Sequence, residues 1–162
     1  MAALIAGLRS ARGTALALLG AGLSAGVLMI AAELSPIATV NVTGQGDCQL
    51  VANPDQRDRC TLSGLERHGG ALILLGLATA TMAVGAALGE SRPAAVALVA
   101  IGAIVIVLAL LLDLPETDEV GLLANFAGAH GEKGIGFWLE LAGGLLAAGV
   151  GATVLLRRTS PA

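Results

Sequence analysis

The sequence predicts an all-α membrane protein: a four-helix transmembrane bundle with a structured cap on one side. Three observations predict it. The 162 residues are 56% apolar and only 13% charged, with a mean hydropathy of +0.84, whereas an average soluble domain is about one-quarter charged. Four nearly charge-free stretches are each long enough to cross a hydrocarbon core of about 30 Å at 1.5 Å per residue. The segments between them alternate between short basic and long acidic ones. The same composition excludes an ordinary cytosolic enzyme, and it excludes disorder, which needs low hydrophobicity and high net charge. A net charge of −3 excludes a nucleic-acid partner, which calls for a basic surface.

The predicted spans are 14–32, 69–88, 94–112 and 135–156. Only the fourth holds a charge, Glu140, near one end. None is striped, as expected where lipid covers the outer face. Span one has a basic start, but its 19 apolar residues exceed the usual h-region of a signal peptide. It reads as a retained signal-anchor, with cleavage as the alternative. Spans two and three are joined by GESRP, short enough to force an antiparallel hairpin. Pro93 then falls in the first helical turn, where its missing N–H costs nothing.

Orientation follows from Lys and Arg in the short segments. Arg9, Arg12, Arg92, Arg157 and Arg158 share one side with a single acid, Glu90. The loops 33–68 and 113–134 carry ten acids, Glu33 at their border included, against Arg57, Arg59, Arg67 and Lys133. Both termini are therefore expected in the cytoplasm of a multi-pass protein, with the two long loops outside. A single Lys among abundant Ala and Gly suggests GC-rich bacterial coding, and so the plasma (inner) membrane. In that setting the acceptor triplet Asn41-Val42-Thr43 carries no weight.

The first outer loop opens with a β-prone run, IATVNVT, from Ile37 to Thr43. It contains the two cysteines of the chain, Cys48 and Cys60. A pair on the oxidising side of a membrane reads as a disulfide, worth about 3 kcal/mol in the loop-entropy account. The alternative is a redox-active pair, which uses closer CxxC spacing. In the second loop, Thr117 with Asp118 and Glu119 suits a helix start. Val120, Leu123 and Phe126 then share a face, which predicts a short amphipathic helix. Trp138 is placed to anchor span four at the headgroup level.

The ionisable residues at span ends are the candidate site. Glu33, Asp113 and Glu140 lie near one membrane level. They could bind a cation or a proton, or simply reach the interface with Glu140 bonded to Arg67 or to a loop backbone. The two histidines, His68 and His130, are weak metal candidates, because no HxxH or HExxH spacing supports them. No catalytic motif is present, and no phosphate loop, nucleophile elbow or nucleotide fold implies a cofactor. Small residues at Gly22 and Gly26, and at Gly143, Ala147 and Gly151, predict close helix packing within the bundle or between copies.

The layout resembles that of claudin-type tetraspans. It has cytoplasmic ends and a longer first outer loop with a β-prone run and two cysteines. Arg67 stands near span two, and the fourth span, GFWLELAGGLLAAGVG, is rich in small residues. The family's Trp followed by Gly-Leu-Trp ahead of the cysteines is absent here, where the one tryptophan is Trp138. The resemblance implies shared architecture without barrier or junction function. The expected function is that of a small scaffold or accessory subunit in the lipid bilayer, assembling with copies of itself or with a membrane protein partner. The alternatives are an oligomeric transporter or channel that uses Glu140, and an outer-facing metal or redox protein.

Overall fold

The computed structural model describes residues 2–42, 46–47, 60–115 and 129–159, with side chains at 13–40, 60–115 and 131–157. The described chain is mostly helical. Helix α1 is Ala2–Glu33, α2 is Gly64–His68, α3 is Ala71–Ala87, α4 is Arg92–Leu108 and α5 is Ile135–Thr159. A π-helical turn, Ala109–Asp113, continues α4. Among the described residues, three stretches are long and apolar enough to cross a membrane: Gly13–Glu33, Arg92–Asp113 and Ile135–Arg157.

The second predicted span is shortened. Its apolar run folds as the 17 residues of α3, about 26 Å of helix at 1.5 Å per residue. The reason lies in Gly69 and Gly70, which adopt φ of 62° and 93°. Such left-handed backbone ends α2 and turns the chain into α3, so neither glycine can extend the helix. At the other end of α3, Glu90 holds a positive φ of 48° in the tight turn to α4. Ser91 caps α4 by accepting a hydrogen bond from the Ala94 amide, with Pro93 in the first turn.

Helix α1 packs against α3 and α5, and α4 packs against the same two. Small residues set the spacing. A Cβ added to Gly26 would stand 2.6 Å from the Gly76 carbonyl oxygen, and one on Gly76 would stand 2.7 Å from that of Gly26. A Cβ on Gly102 of α4 would collide with α5 at Gly144 and Ala148. Gly22 faces Ala83, Gly143 faces Ala25 and Met29, and Gly151 faces Ala95 and Val99. The predicted small residues are thus taken up by neighbours within one chain, and Ala147 is fully buried beside them. Gly149, by contrast, faces open space. Outward, Leu74 and Leu111 are 70% and 66% exposed, so the outer face is an apolar surface of the kind that suits lipid.

One end of the helices carries an antiparallel sheet. Strand β1, Pro36–Val42, is the predicted β-prone run, and β2 is Gly46–Asp47. Strands β3, Thr61–Ser63, and β4, Ala129–Lys133, come from before α2 and before α5. Strand β1 is central: Val42 pairs with Gly46 and Ala129, and Thr39 with Thr61 and Glu132. So β4 lies along one edge, and β2 and β3 share the other. Ile37 is buried against Ala109 and Phe137 and seats the sheet on the helix ends.

The sequence did not mark β4, because AHGEK holds Gly, His and two charges and only pairing makes it a strand. The amphipathic helix predicted from Thr117 to Phe126 lies outside the described residues, as does Cys48. Cys60 is buried, with its carbonyl accepting from the Val40 amide. Trp138 is about half exposed, and its ring meets that of Phe137 edge-on at 5.2 Å.

Candidate functional site

At the sheet end, four elements bring ionisable side chains together. Helix α1 ends on Glu33. Helix α2 is started by a capping box: the Ser63 hydroxyl accepts from the Glu66 amide, and the Glu66 carboxylate accepts from the Ser63 amide. Both Ser63 groups donate to Glu66, so its carboxyl is held below its ordinary value. The left-handed Gly69 ends the helix after five residues, which leaves Arg67 and His68 in its last turn. The π turn carries Asp113, and the second turn of α5 carries Glu140. Gly64 makes the approach possible, because a Cβ there would strike the backbone of Ala32 and Glu33.

Glu33, Asp113 and Glu140 are all fully buried. Each is buried in a different setting. Glu33 accepts from the Gly70 amide at 2.5 Å and the Leu72 amide at 3.1 Å. Those amides open α3, where donors have no partner inside the helix and the dipole favours negative charge. Gly70 has no side chain with which to cap, and Glu33 does so from another helix.

Asp113 Oδ1 accepts from Arg67 Nε at 3.3 Å, and Arg67 Nη2 donates to the Leu112 carbonyl at 3.1 Å. Arg67, one of the partners weighed for Glu140, forms its described ion pair with Asp113. The π turn accounts for this pairing, because it turns the last residue of the α4 segment inward.

Glu140 meets His68. His68 Nε2 lies 3.4 Å from Asp113 Oδ2 and 3.8 Å from Glu140 Oε2. The His68 side chain is only 7% exposed. Among the described residues, four buried side-chain polar atoms lack a hydrogen-bond partner: His68 Nε2, Asp113 Oδ2 and both Glu140 oxygens. Buried polar atoms are rarely left so. The three side chains can offer one donor atom each within 4.8 Å of one another. His130 sits on β4 opposite Asn41, and the described cluster is formed without it.

With this geometry in hand, comparison with known proteins adds no identity: no family model, curated protein or solved structure matches the chain. The residues that sequence reading undervalued are Ser63 and Glu66. The S-x-x-E spacing at 63–66 is the signature of a capping box, and it places Arg67 and His68 on a helical turn. His68 itself escaped a spacing search because its neighbours come from two other elements, 45 and 72 positions along the chain.

Proposed function

We propose that the protein is a small integral membrane scaffold or accessory subunit with four spans, α3 being the short one. In this reading 1–162 forms a single tetraspan unit of the plasma (inner) membrane. Both termini are cytoplasmic, and the sheet faces outward. Positive charge supports that orientation: exposed Arg92 and Arg157 lie at the end away from the sheet. A disulfide between Cys48 and Cys60 closes the cap in the same reading. It would tether the segment before β3 to the chain after β2.

The observation that carries the scaffold reading is where the buried polar side chains fall. Among the described residues they are Glu33, Thr79, Asp113 and Glu140. Three of them lie at the sheet end. Thr79 lies in α3, with its hydroxyl on the Met29 sulfur. The middle of the bundle is filled by close helix packing, which gives a solute or proton no row of polar groups to follow. A rigid body with an apolar girdle and an ordered cap suits a protein that works by lateral assembly or by displaying the cap.

The test is purification in mild detergent followed by native mass spectrometry, beside flux assays in proteoliposomes. Recovery of a second copy or a distinct subunit, with equal background flux in the wild type and in Glu140→Gln, is the expected result. Solute or proton flux that Glu140→Gln abolishes would overturn the scaffold reading in favour of transport.

A further inference from the structure

We infer that His68, Asp113 and Glu140 form a binding site for one divalent transition-metal ion of the zinc class. The argument begins with the unpartnered atoms. Nε2 of His68, Oδ2 of Asp113 and both carboxylate oxygens of Glu140 are buried and lack hydrogen-bond partners. Two of them approach Nε2, at 3.4 and 3.8 Å. Both distances exceed a good N–H···O bond of about 2.9 Å. The first fits the edge of a coordination polyhedron, and the second exceeds it by only a few tenths of an ångström. Ligands bound to zinc at about 2.0–2.2 Å in tetrahedral array stand about 3.3–3.6 Å apart.

The donor set selects the ion. One imidazole nitrogen with two carboxylates suits a borderline cation such as Zn²⁺. Ca²⁺ and Mg²⁺ prefer shells of oxygen alone, and Cu⁺ prefers sulfur. Charge points the same way. Arg67 is the described cation bonded to Asp113, and Glu33 is occupied by the α3 amides. Asp113 and Glu140 together carry two negative charges against the one positive charge of Arg67, and a bound cation would offset the remainder where both carboxylates are buried.

The surroundings are those of a supported site. Arg67 holds Asp113 through Oδ1 and leaves Oδ2 turned toward His68. This is the outer-layer orientation that ligating carboxylates usually have. The three ligands arrive from α2, the π turn and α5, so the ion would clamp the chain before α3 to the ends of two other helices. Three protein ligands also leave a fourth position for water or a donor from elsewhere.

The test uses the full chain in detergent, stripped with a chelator and titrated with Zn²⁺ or Co²⁺ alone. The expected result is one equivalent of zinc per chain by elemental analysis. Co²⁺ should give visible d–d bands stronger than those of the aqua ion, as low-coordinate nitrogen and oxygen ligation produces. His68→Ala and Glu140→Gln should each lose the bands and weaken zinc binding by more than the roughly 10- to 100-fold that supporting residues contribute. Glu132→Gln, on an exposed part of β4, should leave both unchanged. The wild-type measurements stand even where a variant fails to fold. Wild-type protein that takes up no stoichiometric zinc and gives only the aqua cobalt spectrum overturns the inference. So do His68→Ala and Glu140→Gln variants that bind as the wild type does. The oligomeric and flux measurements of the scaffold reading are read separately and do not depend on this outcome.

Discussion

The two ends of the helices are closed by different chemistry. At the sheet end, buried Glu33, Asp113 and Glu140 gather with Arg67 and His68, and strands from two loops cover the helix ends. At the opposite end, a tight turn through Glu90 joins α3 to α4, Ser91 caps locally, and Arg92 and Arg157 are exposed. At one end charged groups distant in sequence meet in a buried cluster; at the other the helices pack through small and apolar side chains, and the helix cap, Ser91 on the Ala94 amide, is local. The difference teaches where a mutation should hurt: equal changes of charge should cost much at one end and little at the other.

The largest contrast is between two arginines. Arg67→Ala strands the buried Asp113 carboxylate and should destabilise the protein by about 3 kcal/mol or more. Arg157→Ala, at an exposed position, should change stability by no more than about 0.5 kcal/mol. Unfolding in mixed micelles with increasing SDS measures both. Equal effects would break the comparison.

A second pair tests helix starts. Glu33→Ala leaves the Gly70 and Leu72 amides without their buried acceptor and should cost about 2–3 kcal/mol, as charged hydrogen bonds do. Ser91→Ala removes a local cap and should cost about 1 kcal/mol. Hydrogen exchange can localise the two losses, to the first turn of α3 in one case and of α4 in the other. Exchange that spreads equally over both helices would count against this division.

A smaller effect sharpens the sheet end itself. Ser63→Ala breaks the box that starts α2 and should cost about 1 kcal/mol, with the loss spreading to the positions of Arg67 and His68. The smallest is a pH effect on the same box. The Glu66 carboxyl lies below its ordinary value of 4.5 because Ser63 donates to it. Its contribution is therefore complete above that value and fades as the pH falls through the lowered one. Glu66→Gln should flatten this limb of an acid titration followed by stability. A limb that persists unchanged in that variant would assign it elsewhere.

The sequence shows unevenly through this structure. Long apolar runs are legible because lipid asks only for length and lack of charge. The runs 14–32, 94–112 and 135–156 lie within or almost fill Gly13–Glu33, Arg92–Asp113 and Ile135–Arg157. IATVNVT was legible because five of its seven residues are β-branched. Strand β4 was not, since its partner lies some 90 residues away. The acids of the site could be named from their positions at span ends, but their pairing could not. The π turn sends Asp113 to Arg67, and His68 reaches Glu140 only after Gly69 and Gly70 have turned the chain. A histidine followed by two glycines carries no spacing signal for that.

The placement of β1 has a consequence for biogenesis. Its residues are translated early, directly after α1, yet the strand that covers its second edge ends at Lys133. Until the ribosome has passed that point, one side of β1 offers unsatisfied amides and carbonyls. Closure of the sheet thus marks that the four earlier helices, α1 to α4, are made. A nascent chain arrested before Ala129 should leave β1 open to protease or to a chaperone strand, and one arrested well beyond Lys133 should not.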